Sequence, residues 1–197
     1  MSIEVLSALI VFAFVSSVTP GPNNMMLLAS GVNFGFRRTI PHICGIELGF
    51  AALVAAMAFG LGALFELVPV LHTLLKVIGG AYLVWIAWSI ASSRSLGQGE
   101  GAGRPMSFWQ AAAFQWVNPK AWVMVISAIT AYAGPSPNLL VTGLLVAVFA
   151  GVGFPAVSIW AAFGALLRDW LADPRRLKLF NLTMAALLLA SLWPVLR

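Results

Sequence analysis

Six long apolar stretches constrain the fold of this chain more than any other feature. They cover about residues 3–32, 40–63, 74–91, 107–133, 139–167 and 179–196. A helix needs about 20 apolar residues to cross the hydrocarbon core of a bilayer. Only 9% of the 197 residues are charged, against roughly 25% in a soluble domain, so lipid must be the solvent for most of the surface. The stretches predict an all-α membrane protein with six transmembrane helices in one polytopic domain, residues 1–197.

The basic residues predict how these spans are oriented, because Lys and Arg gather in cytoplasmic loops. Eight of them follow spans one, three and five, and two lie on the opposite side. The eight are Arg37, Arg38, Arg94, Arg104, Arg168, Arg175, Arg176 and Lys178, and the two are Lys76 and Arg197. We therefore expect an inner-membrane protein with both termini outside the cytoplasm. The cations form no single basic face, so we expect no nucleic-acid partner.

A weak internal repeat suggests how the spans are arranged. The segment from Gly49-Phe50 to Phe59-Gly60 resembles the segment from Gly153-Phe154 to Phe163-Gly164, with a constant offset of 104 positions. The first and fourth spans are both interrupted by proline. Two halves of three spans each, about residues 1–100 and 101–197, must have opposite orientations in the membrane. The pattern predicts a 3+3 inverted repeat, which is a transporter architecture.

The first span contains a helix-breaking segment, Thr19-Pro20-Gly21-Pro22-Asn23-Asn24. Proline removes a backbone donor and clashes with the preceding turn, while glycine relaxes the backbone. We expect two half-helices with an irregular joint, which survives at membrane depth only inside protein or along a wet cavity. A loop at the cytoplasmic surface is the alternative.

The fourth span contains a second break, at Val117-Asn118-Pro119-Lys120. Asn is a good N-cap and proline is favoured at the first helical position, so a helix should begin at Pro119. The stretch from Ser107 to Trp116 would then be a separate piece. Given the expected orientations, the half-helices that begin at Pro22 and Pro119 both point their N-termini toward the middle of the membrane.

Two helix N-termini around one cavity carry partial positive charge and free N–H groups, which suit a carboxylate. Glu47 and Lys120 are the two ionisable residues well inside a span, where charges are costly and functional by default. Glu47 would bind a substrate ammonium or carry a proton. The alternatives are a structural Glu47–Lys120 pair and a Lys120 side chain that reaches the interface. The candidate substrate-binding residues are Pro20, Gly21, Pro22, Asn23, Asn24, Glu47, Asn118, Pro119 and Lys120.

These motifs resemble those of the LysE/RhtB family of amino-acid exporters. The resemblance rests on the Thr19–Asn23 motif, the turn with Gly35, Arg37 and Arg38, and Gly45-xxx-Gly49 in the second span. It continues with Lys76, Gly79, Tyr82 and Leu83 in the third span and with Asn118, Pro119 and Lys120 in the fourth. The resemblance covers essentially the whole chain. It implies ion-driven efflux, by proton antiport, of an amino acid or a close derivative.

The function therefore expected is a secondary amino-acid exporter that is not an enzyme and needs no cofactor. The alternatives are an exporter of a metal ion or other small solute, and an intramembrane enzyme or assembly subunit. Few intramembrane Asp, His or Cys residues are present to coordinate a cation. His42 lies near a predicted span end, so we expect it at the membrane interface. The expected partners are an amino-acid-like substrate, protons and the lipid bilayer, and a homodimer is left open.

Overall fold

The computed structural model describes residues 1–61, 67–68, 70–93, 96, 104–134 and 138–193, and these residues form α-helices joined by short segments. The helices are α1 (Ile3–Val18), α2 (Pro22–Phe34), α3 (Phe36–Ala56), α4 (Val70–Ser92), α5 (Phe108–Gln115), α6 (Pro119–Ala128), α7 (Leu139–Leu167) and α8 (Pro174–Ala190). Short π-helical turns, Met57–Leu61 and Ile129–Ala133, extend α3 and α6. The prediction of an all-α membrane protein is confirmed. Arg94 and Arg197, both used to predict orientation, lie outside the described residues.

The helices correspond closely to the predicted spans. Among the described residues, Phe36–Leu61, Thr73–Ser92 and Leu139–Leu167 are each long and apolar enough to cross a bilayer alone. The pair α1 and α2 passes the same test together and bends by 54° at its break. The helices α5 and α6 occupy the fourth predicted span, and the 17 residues of α8 occupy the sixth.

One predicted boundary is wrong by several residues. The sixth apolar stretch begins at residue 179, but α8 begins at Pro174 and ends at Ala190. The carboxylate of Asp173 accepts hydrogen bonds from the backbone N–H of Arg175 at 2.9 Å and of Arg176 at 3.0 Å. Because this cap and Pro174 at the first helical position start the helix, its first turn is basic rather than apolar.

Both expected helix breaks are present and confirmed. The helix α1 ends at Val18, Gly21 is the N-cap of α2, and Pro22 is the first residue of α2. The helix α5 ends at Gln115, and Asn118 is the N-cap of α6, which begins at Pro119. We call Thr19–Gly21 the first break and Trp116–Asn118 the second break.

Glycines allow the helices around these breaks to pack closely. A Cβ on Gly31 of α2 would clash with the carbonyl of Ala161 in α7, and a Cβ on Gly164 of α7 would clash with the carbonyl of Leu28 in α2. Gly45 and Gly49 of α3 abut the α5 backbone in the same way. Small residues at such crossings let helix backbones approach in the membrane. The two short half-helices α2 and α5 are therefore held against the long helices α7 and α3.

Apolar clusters lie on either side of the breaks. One joins α1, α3, α6 and α7 and includes Leu9, Leu53, Val125 and Phe149. Another joins α2, α4, α5 and α8 around Phe114. The breaks lie between these clusters, with Gly21 and Asn118 buried and Thr19 and Pro20 exposed.

Candidate functional site

The two breaks meet through the side chain of Lys120. Its ammonium Nζ donates to the carbonyl of Thr19 at 2.6 Å, to Thr19 Oγ1 at 3.0 Å and to the carbonyl of Pro20 at 3.4 Å. Lys120 is the second residue of α6. The first turn of α6 therefore bonds the carbonyls of the first break. The ammonium bonds the first break at Thr19 and Pro20, which are both exposed.

A pair of amides makes a second link between the breaks. Asn23 Nδ2 donates to Gln115 Oε1 at 2.8 Å, and Gln115 Nε2 donates back to Asn23 Oδ1 at 3.1 Å. Asn23 lies in the first turn of α2, and Gln115 is the last residue of α5 and fully buried. This reciprocal pair fixes the start of α2 against the end of α5.

The carbonyls at the end of α1 are also satisfied by side chains. Asn24 Nδ2 donates to Ser17 O at 2.8 Å and to Thr19 O at 2.7 Å. Trp160 Nε1, from α7, donates to Val18 O at 3.1 Å. Unsatisfied backbone groups are not tolerated in the hydrocarbon core of a bilayer. These donors therefore allow α1 to end inside the protein.

The breaks border a small cavity, which we call the central cavity. Its volume is about 40 Å³, enough for a few water molecules. Its polar lining comes from α1, α2, α3 and the start of α6, and comprises Ser16, Ser17, Asn23, Asn24, Glu47, Asn118 and Lys120. Its apolar lining includes Phe50, Met124 and Phe149, with the rings of Phe50 and Phe149 5.0 Å apart at their centroids. The motif passes from Thr19 and Pro20, which are exposed, to Asn24, which is 2% exposed.

Glu47 enters the central cavity from α3. A Cβ on Gly153 of α7 would lie 3.1 Å and 3.3 Å from its two carboxyl oxygens, so this glycine provides the space that the carboxyl group occupies. Lys120 donates to Thr19 and Pro20 instead of to Glu47. The described residues show no ion pair between Glu47 and Lys120, and the interpretation of a structural pair is wrong.

Six of the nine candidate residues line the central cavity and three do not. The six are Gly21, Asn23, Asn24, Glu47, Asn118 and Lys120. Pro20 lies beside the cavity and contributes a carbonyl to Lys120. Pro22 and Pro119 are the first residues of helices and set the backbone path. A proline ring has no polar group to offer, so the prolines shape the site without lining it.

The structure adds residues that sequence reasoning missed. Ser16 and Ser17 line the cavity one turn before the first break, and Gly153 lies against Glu47. Gln115 and Trp160 complete the hydrogen bonds at the breaks. Gln115 could have been identified from the sequence, because it is a polar residue beside the second break. Nothing in the sequence marked Trp160 as a partner of the first break.

His42 is not at the interface. It lies within α3, is 2% exposed, and borders a different, larger cavity. The described part of the chain contains no group of three His, Cys, Asp or Glu side chains placed to hold a metal ion.

Comparison with known proteins gives one consistent result. Residues 14–191 match the family model described as LysE type translocator. The chain is 34% identical over 173 residues to the cysteine/O-acetylserine efflux protein of Escherichia coli, covering 85% of this chain and 86% of that protein. It is also 34% identical over 168 residues to the protein of the same name from Shigella flexneri, covering 83% and 84% respectively. No solved structure matches the chain.

Proposed function

Because this chain belongs to the LysE type translocator family, we propose that it exports a small neutral amino acid of the cysteine or O-acetylserine type in exchange for protons. The family makes the chain a multi-pass membrane transporter and not an enzyme. The observation that supports the substrate class is the central cavity, where both helix breaks meet beside Glu47 and Lys120. The relatives named for cysteine and O-acetylserine efflux support the same class.

The groups that line the cavity are complementary to the two ends of a zwitterion, which a cavity of about 40 Å³ admits only after the surrounding helices move apart. Glu47 supplies a carboxylate for the solute ammonium, at the wall formed with Gly153. The starts of α2 and α6, with Asn24 and Asn118, supply the positive ends of two helix dipoles for the solute carboxylate. Lys120 adds a full positive charge at the same place. Phe50, Phe149 and Met124 leave apolar surface for a short side chain.

Proton exchange is assigned to Glu47 because its carboxyl group lies inside the membrane protein without a salt bridge to Lys120. A carboxyl group in this setting can hold either a proton or a solute ammonium, but the two compete for one site. Solute binding from the cytoplasm would then release a proton, and proton binding from outside would release the solute. The competition couples the two movements without any further group.

Counterflow of labelled O-acetylserine and cysteine in proteoliposomes tests the function. We expect uptake above that of empty liposomes, and faster efflux when a pH gradient is imposed. Glu47→Gln preserves size and hydrogen bonding but removes titration. It should reduce gradient-driven efflux to the level of empty liposomes.

The matched control is Glu4→Gln, which changes an exposed carboxylate at the start of α1 and should leave efflux unchanged. A well-expressed Glu47→Gln protein with wild-type efflux across the same gradient would show that the proton moves elsewhere. Absence of counterflow for every amino acid in a panel would reject the substrate class.

The proposed orientation in the inner membrane is tested separately. Reporter fusions should place loops 33–39, 92–106 and 168–178 in the cytoplasm and both termini outside, because eight cations lie on one side and two on the other. A cytoplasmic C-terminus would reject the orientation and the inverted repeat together.

A further inference from the structure

A second cavity is bordered by the part of α2 from Met26 to Phe34, whereas the central cavity is bordered by the start of α2. Its volume is about 920 Å³, within the roughly 300–1,000 Å³ of small-molecule sites. The polar residues that border it and bear on the argument are Ser30, Asn33, His42, Ser89, Arg104 and Gln110. Asn33 lies in the last turn of α2 and Arg104 precedes α5, so the cavity lies at the end of the protein where two of the proposed cytoplasmic loops begin or end. We call it the vestibule.

His42 is the unusual residue of the vestibule. Its side chain is 2% exposed, and neither Nδ1 nor Nε2 has a hydrogen-bond partner among the residues that the structure describes. A neutral imidazole carries one donor and one acceptor, and leaving buried polar groups unpaired is costly. The ring borders the vestibule, and a small shift of the wall would bring its buried nitrogens within reach of a ligand.

Ser30 and Asn33, which also border the vestibule, have hydrogen-bond partners. Ser30 Oγ and Thr39 Oγ1 are 2.8 Å apart. Asn33 Nδ2 donates to Ala29 O at 2.8 Å and to Asn181 Oδ1 at 3.3 Å. These groups are already engaged in holding α2 against α3 and α8. Among the described buried polar side chains that border the vestibule, His42 is therefore the one whose hydrogen-bonding groups are unpaired.

The vestibule and the central cavity lie in series along α2 and α3. His42 and Glu47 are five positions apart on α3, which is about 7.5 Å along a helix axis. Between them, Leu27, Ile43 and Ile46 form part of a buried apolar cluster. A polar solute leaving the vestibule would have to cross this apolar layer to reach the central cavity.

We propose that the vestibule is a separate binding site, where a small solute with an α-carboxylate binds from the cytoplasm before it enters the central cavity. Among the described residues that border the vestibule, Arg104 carries the single full charge, and its guanidinium matches a carboxylate. His42 bonds a polar group at the other end of the solute. The proposal rests on the proposed export function, since it supplies the site that precedes transport.

Cysteine labelling tests the vestibule apart from transport. In a Cys44→Ala protein, Ser89→Cys places a thiol at the vestibule edge, and a membrane-impermeant maleimide is added to inside-out vesicles. We expect O-acetylserine to slow this labelling. His42→Leu should raise the half-protecting concentration about tenfold, the upper range for one hydrogen bond, and His42→Gln should raise it less.

Two controls make the result specific. Val84→Cys lies on the same helix, is half exposed and does not border the vestibule, so O-acetylserine should not protect it. Protection of the Ser89→Cys protein should persist when Glu47→Gln is added. Absence of protection, or its loss in Glu47→Gln as complete as in His42→Leu, would overturn the vestibule proposal. Wild-type counterflow, measured separately, decides the export function whatever the labelling shows.

Discussion

The two helix breaks are closed in different ways. At the second break, Asn118 Oδ1 accepts from Lys120 N at 3.2 Å, and Trp122 Nε1 donates to Trp116 O at 2.8 Å. These partners lie within six positions of each other. At the first break, the carbonyls of Thr19 and Pro20 accept hydrogen bonds from Lys120, which lies about a hundred positions away in the sequence. The second break is closed by its own neighbours, whereas the first has a distant donor, Lys120, in addition to the local donor Asn24.

This difference suggests where movement and binding are coupled. A break closed by its own neighbours keeps its shape when distant helices shift. A break held by Lys120 changes its hydrogen bonds whenever α6 moves relative to α1. We therefore expect the first break to respond to the solute and the second to act as a fixed frame.

The largest expected effect comes from removing the link between the breaks. Lys120→Met keeps the length of the side chain but leaves Pro20 O without this donor and Thr19 O with Asn24 alone. We expect counterflow at the level of empty liposomes. The free energy of unfolding in detergent should fall by about 0.5–1.5 kcal/mol, the net contribution of a hydrogen bond, because Thr19 and Pro20 are exposed and water can replace the ammonium there. Lys76→Met, at an exposed position on α4, is the matched control. Wild-type counterflow in the Lys120→Met protein would contradict the proposed role of this link.

A pair of glycine substitutions should separate function from stability. A Cβ on Gly79 would clash with the carbonyl of Val117 at the second break, whereas a Cβ on Gly21 would lie 2.6 Å from Lys120 Cδ. Backbone cannot yield easily, so Gly79→Ala should cost about 1–3 kcal/mol of unfolding free energy. A lysine chain can move aside, so Gly21→Ala should cost no more than the loss of the Lys120 hydrogen bonds, about 0.5–1.5 kcal/mol, but slow counterflow. Thermal unfolding and counterflow on both proteins check this. If the two substitutions had equal effects on stability and equal effects on counterflow, the proposed difference between the two breaks would be rejected.

The smallest effect concerns the amide pair of Asn23 and Gln115. Hydrogen bonds between side chains inside membrane proteins contribute about 0.6 kcal/mol on average. A double-mutant cycle of Asn23→Ala and Gln115→Ala should give a coupling energy of that size, measured by unfolding in detergent. Asn23→Ala combined with Ser7→Ala, at an exposed position on α1, should be additive. A coupling energy of zero would mean that the two breaks are joined by Lys120 alone.

Much of the helical framework could be predicted from local features of the sequence. The length of an apolar stretch determines whether it can span a bilayer, and proline restricts its own backbone wherever it stands. The breaks at Pro22 and Pro119 were predicted for this reason. The start of α8 was missed because Asp173 and Pro174 initiate a helix before the apolar stretch begins.

The sequence by itself also determined which charges are buried, since Glu47 and Lys120 stand inside apolar spans. Only the tertiary structure decided their partners. An ammonium at this depth can pair with a carboxylate or with carbonyls at the end of a helix, and sequence spacing does not distinguish the two. The packing of α2 on α7 and of α5 on α3, through Gly31, Gly164 and Gly45, places the end of α1 within reach of Lys120. Lys120 therefore bonds the first break, and Glu47 keeps its carboxyl group in the cavity beside Gly153.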